Sequence, residues 1–79
     1  MRRRQLKAVV VFASTSDAIA MESGCHAAGV AGRLIPVPTE IAADCGLAWC
    51  SPEAELPNIE RVLADNGLGF TGVHLVALY

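Results

Sequence analysis

The segment Arg33-Leu-Ile-Pro-Val-Pro-Thr-Glu-Ile-Ala-Ala-Asp-Cys-Gly-Leu-Ala-Trp49 limits what this chain can fold into more than any other. Pro36 and Pro38 fix their own φ and push the residues before them toward extended geometry, so no helix can run through them. Ala31 to Val37 therefore reads as a strand that ends in a stiffened turn. Thr39 is an N-cap for one helical turn, Glu40 to Asp44. Gly46 gives freedom where the backbone must reverse, and Leu47 to Ser51 starts a new apolar strand. The product is a strand–turn–strand unit whose rigid connector holds Cys45 at the edge of a sheet. Stiff loops of this kind are where reactive residues tend to sit.

The flanking chain supplies the rest of a fold. Lys7 to Ala13 is a β-branched and apolar run, the mark of a strand with neighbours on both sides. Ser14-Thr15-Ser16-Asp17 clusters N-cap residues, and a helix should follow to about Ala28. Its buried stripe is Ala18, Met21, Cys25 and Ala28, with Gly24 giving close approach to the sheet and Gly29 as the C-terminal cap. After Leu47 to Ser51, Pro57 forbids one continuous helix from Pro52. The expectation is a separate turn at 52–56 or a helix starting at Pro57, burying Leu56, Ile59, Val62 and Leu63 and ending at Asn66-Gly67. Phe70 to Leu78 is the last strand, interrupted early by Gly72. The order β-α-β-β-α-β with right-handed crossovers predicts an α+β, ferredoxin-like domain. Its four-stranded antiparallel sheet should have the order 4-1-3-2, with both helices on one face.

Composition narrows the class. Seventy-nine residues make one domain over 1–79, with 1–6 as a basic N-terminal tail. An apolar content of 53% against 18% charge excludes a disordered chain. The net charge of −2 hides an asymmetry. Arg2, Arg3, Arg4 and Lys7 hold most of the basic charge, and from Ala8 onward Arg33 and Arg61 face eight acids. An acidic body argues against nucleic acid, and the Arg run reads as a solvated tail. No apolar stretch approaches the ~18 residues of a membrane span, so no membrane partner is expected. Three cysteines form no closed disulfide framework, which fits a reducing, cytoplasmic setting. The expected bare sheet face and the apolar richness allow a homodimer.

Cys45 is the leading candidate for chemistry. The thiolate is the working form of a cysteine, and a turn followed by Gly46 offers backbone amides to the anion. Asp44 opposes this by its charge. The bland alternative is a small apolar residue closing the end of the sheet. Cys50 should alternate to the face opposite Cys45 and Trp49, which argues against a disulfide or shared metal with Cys45; it reads as a buried strand cysteine, or as a resolving cysteine reached only if the loop bends back. Cys25 lies on the buried stripe, while the adjacent His26, about 100° round the helix, points to solvent. Nothing ties His74 to Cys45. Ser14-Thr15-Ser16 reads as capping, since it lacks the glycines of a phosphate loop. Glu40 orients the loop or caps its turn. Arg33 is either a strand-end charge or a counter-charge for an anion on Cys45.

The run Arg33-Leu-Ile-Pro-Val-Pro-Thr-Glu-Ile-Ala-Ala-Asp-Cys-Gly-Leu-Ala, with its P-x-P and following C-G, resembles the selenium/sulfur carrier-like family. The similarity extends from about Lys7 to Leu78. Thr39 and Ala42 stand where many members have Arg and Ser. The resemblance implies a carrier that holds sulfur or selenium on Cys45 as a persulfide or its selenium equivalent. The binding surround would be Arg33, Pro36, Pro38, Glu40 and Gly46. It implies no metal or organic cofactor, and two protein partners: a donor such as a cysteine desulfurase, and an acceptor enzyme. No base, acid or oxyanion motif accompanies the thiol, so a carrier is expected rather than a stand-alone enzyme. The alternative is a non-catalytic ferredoxin-like module that binds a small ligand or a protein, its cysteines being structural.

Overall fold

The computed structural model describes residues 5–38, 41 and 46–78. Its elements are β1 (Gln5–Phe12), α1 (Thr15–Ala28), β2 (Arg33–Pro36), β3 (Leu47–Pro52), a 3-10 turn (Glu53–Glu55), α2 (Leu56–Asp65) and β4 (Phe70–Leu78). The four strands form one antiparallel sheet in the order β2-β3-β1-β4, the expected arrangement of a ferredoxin-like α+β fold. The run Arg2 to Arg4 lies outside the described residues. Gln5 and Leu6, expected in a tail, already pair with Leu78 and Ala77, so β1 starts earlier than its β-branched run suggests.

β1 is central, and its side chains feed both faces of the sheet. Ala8, Val10 and Phe12 join Trp49 and the helix residues Ala18, Met21, Cys25, Ile59, Val62 and Leu63 in one core. Val9 packs on the other face with Ala48 and Cys50. Burial on both sides is why the strand reads as an unbroken apolar run and not as an alternation. Both helices therefore cover one face, as the topology requires.

Local chemistry fixes the helix ends. Ser14 Oγ accepts the Asp17 amide at 3.3 Å, capping α1. Gly29, at φ 74°, closes the other end in the left-handed region, and the Val30 amide reaches back to the Cys25 carbonyl at 2.9 Å. Two details of α1 differ from expectation. Ala28 is exposed, although Cys25 three residues earlier is fully buried. Gly24 faces α2 and not the sheet: a Cβ there would stand 2.9 Å from Val62 Cγ1, so the missing side chain sets the closeness of the two helices. At α2 the proline conflict is resolved by a change of helix type. The 3-10 turn takes Glu53–Glu55, and Pro57 falls in the first turn of α2, where a missing amide costs nothing. Gly72 marks a bulge. Val11 pairs with Gly72 but Phe12 pairs with Phe70, leaving Thr71 extra, and its hydroxyl donates to the Val11 carbonyl at 3.3 Å.

The start of β2 is pinned from beneath. Trp49 Nε1 donates to Ser51 Oγ at 2.7 Å, and the Ser51 hydroxyl donates to the Ala31 carbonyl at 2.6 Å. The Ala31 amide donates to Glu55 at 2.8 Å, and with the Asn58 amide donor it holds that carboxyl below its ordinary pKa. Among the described residues no helix is long and apolar enough to cross a membrane.

Candidate functional site

The β2–β3 hairpin builds the site. Arg33, Leu34, Ile35 and Pro36 pair with Cys50, Trp49, Ala48 and Leu47. The ladder then extends one step, the Val37 amide donating to the Gly46 carbonyl at 3.1 Å. Pro36 can sit here because β2 is an edge strand, where a lost donor does not break the sheet. Past this point the chain turns onto the helix-free face. The Ile41 amide donates to the Pro38 carbonyl at 3.0 Å, and Val37 and Ile41 pack against Val9, Ala48 and Cys50. The face that the topology leaves without helices is thus partly roofed by the proline loop, and Val9 is fully buried beneath it.

Beside this roof lies an open groove of about 710 Å³. Arg33, Pro36 and Pro38 line it, together with Lys7, Cys50 and Leu78. Of the residues expected around Cys45, these first three are brought together. Gly46 is exposed and bonded into the hairpin ladder, outside the groove lining. Cys45 and Glu40 lie outside the described residues, as do Thr39 and the rest of the expected turn except Ile41.

The two described cysteines are both free and both buried. Cys25 is sealed in the helix-side core, where burial and the nearby Glu55 charge push its thiol up to about 11. Cys50 is on the opposite side of β3 from Trp49, as alternation requires. Burial raises its pKa, and the charges of Lys7 and Arg33 pull it partway back. Neither thiol is ionised at neutral pH, so neither is a ready nucleophile. His26 is exposed, and His74 pairs with Val9 on the helix-free face, its ring over Gly72.

Over residues 7–75 the sequence matches the model of a family described as "Putative Se/S carrier protein-like". The chain belongs to this carrier-like family. No curated protein and no solved structure matches it. The match takes in both the hairpin and its loop, together with the strands and helices that position them.

Two groove residues escaped the sequence. Lys7 reads as the start of the first strand and as one more basic residue near the N-terminus; the structure makes it the third residue of β1 and part of the groove lining. Cys50 reads as a packed strand residue or a resolving cysteine, and not as part of a groove. The signal that would have found both is the register: Arg33 pairs with Cys50, and Lys7 with Pro52 two residues on. No pattern within one strand encodes that neighbourhood.

Proposed function

We propose that this carrier-like protein holds sulfur or selenium on Cys45, as a persulfide or its selenium equivalent, and delivers it to an acceptor protein. The family match over residues 7–75 carries the reading. The described thiols support it by elimination: Cys25 and Cys50 are buried and protonated, so the cargo role falls to Cys45. Gly46, next in sequence, is fixed by its bond to the Val37 amide, giving the cargo residue an anchored neighbour.

Loading is a thiol exchange. The Cys45 thiolate attacks the terminal sulfur of a donor persulfide, as on a cysteine desulfurase. A new S–S bond forms on Cys45, the donor's S–S bond breaks, and the donor leaves as a thiolate. Delivery repeats the step toward a nucleophile of the acceptor enzyme, with no net oxidation. Free buried thiols agree with a reducing compartment, and the proposal sets the protein in the cytoplasm.

The test is loading of the native chain from a persulfide donor, read by mass spectrometry. Wild type should take one sulfur, and Cys45→Ser none, with an unchanged circular dichroism spectrum. Equal loading of the Ser variant overturns the carrier reading and leaves the binding-module alternative.

A further inference from the structure

The charges of the described chain are segregated. All its acidic residues lie on the helix layer: Asp17 and Glu22 on α1, Glu53 and Glu55 on the 3-10 turn, Glu60 and Asp65 on α2. Of the three described basic residues, Lys7, Arg33 and Arg61, two line a single groove on the other face of the sheet. No acid lines that groove among the described residues. In a chain of net charge −2 this local excess of positive charge runs against the composition.

The register explains how the two cations converge. Arg33 on β2 is the direct cross-strand neighbour of Cys50, and Lys7 on β1 is its diagonal neighbour, opposite Pro52. Their strands are two spacings apart, roughly 10 Å, within the joint reach of a lysine and an arginine leaning over the thiol between them. Lys7, Arg33 and Cys50 all line this one groove. Lys7 Nζ has only Gln5 Oε1 at 3.5 Å as a described polar partner, so its charge is not spent on an ion pair there. Below the cations the lining turns apolar: Ile35, Val37 and Leu78, flanked by Pro36 and Pro38.

We infer that this groove binds a small organic anion, its acid group held between Lys7 and Arg33 and its short apolar chain lying along Val37, Pro38 and Leu78. Two donors of unlike geometry suit a carboxylate or a phosphate group, the guanidinium taking two oxygens and the ammonium a third contact. Cys50 forms part of the floor and stays a thiol throughout. The inference goes beyond the carrier reading and does not use Cys45.

The test is an amide chemical-shift titration of the full chain with hexanoate, hexyl phosphate, hexanol and inorganic phosphate. Hexanoate or hexyl phosphate should shift the Arg33, Cys50 and Leu78 amides saturably, and the tighter of the two names the acid group. Hexanol, lacking charge, and inorganic phosphate, lacking a chain, should each bind at least about ten-fold more weakly, the equivalent of one lost charged or apolar contact. Lys7→Gln and Arg33→Gln should each weaken binding by about ten-fold or more, and Lys7→Arg should keep it. An unchanged amide spectrum on the helix side certifies the fold of each variant. Absence of saturable shifts, equal binding of hexanol, or unchanged affinity in both Gln variants would overturn the inference.

Discussion

The two faces of this sheet share one central strand and are built for different ends. On the helix side, Trp49, Phe12, Met21 and Ile59 are fully buried in one continuous core, and its buried polar atoms are paired through Ser51. On the other side only Val9, Ala48 and Cys50 form the packed cluster, roofed by the half-buried Val37 and Ile41 beside an open groove. Among the described residues, Lys7 and Arg33 sit over this second face, and every acid lies on the helix layer with Arg61. The difference teaches that a small domain can place most of its packing on one face and leave the other open. A chain of 79 residues has core enough for one such layer and little more.

Substitutions can break this comparison. Trp49→Ala removes the largest buried side chain and orphans the Ser51 network, and should cost about 3–5 kcal/mol, enough to unfold most of the protein. Gly32→Ala should come next. Gly32 lies at φ 155°, and a Cβ there would meet Ser51 Oγ, the Cys50 carbonyl oxygen and Trp49 Cζ2 at 2.5, 2.6 and 2.7 Å. Backbone cannot yield as a side-chain tip can, so the expected cost is about 2–4 kcal/mol in urea unfolding. Ile41→Ala, on the roofed face, should cost only about 1 kcal/mol, since the site is half-buried and can collapse. A cost for Ile41→Ala equal to that of Trp49→Ala would erase the distinction between the faces.

A smaller effect sharpens it through pH. The Cys25 thiol is pushed from 9.0 up to about 11 by the fold, so the unfolded chain gives up its proton first as pH rises. The stability this group contributes is whole below about pH 9 and falls as pH climbs toward 11. The urea midpoint of wild type should drop between about pH 8 and about pH 10.5, and less so in Cys25→Ala. Equal drops would show that the helix-side thiol is not sealed as described.

Much of the architecture was legible because local signals agreed. Ser14 and Gly29 bracket α1, Asn66-Gly67 end α2, and the unbroken apolar run of β1 announces a central strand. What stayed hidden depended on through-space neighbours. Gly24 reads as a sheet contact until Val62 is seen beside it, and Ala28 fits the stripe by spacing alone. Gly32 carries no sign that a backbone carbonyl and an indole stand where its side chain would be. Around the groove, Arg33 stood out as a strand-end charge and Pro36 and Pro38 as the stiff turn, whereas the convergence of Lys7 and Cys50 on them needed the pairing of β1 and β2 with β3.

The division of labour is tested most directly by competitive alkylation of the three native thiols across pH, with each cysteine resolved by mass spectrometry. The account predicts that Cys45 reacts first, titrating below about 8.5, while Cys50 in the groove floor reacts far more slowly and Cys25 only after unfolding. Protection of all three until the chain unfolds, or faster reaction at Cys50 than at Cys45, would contradict it.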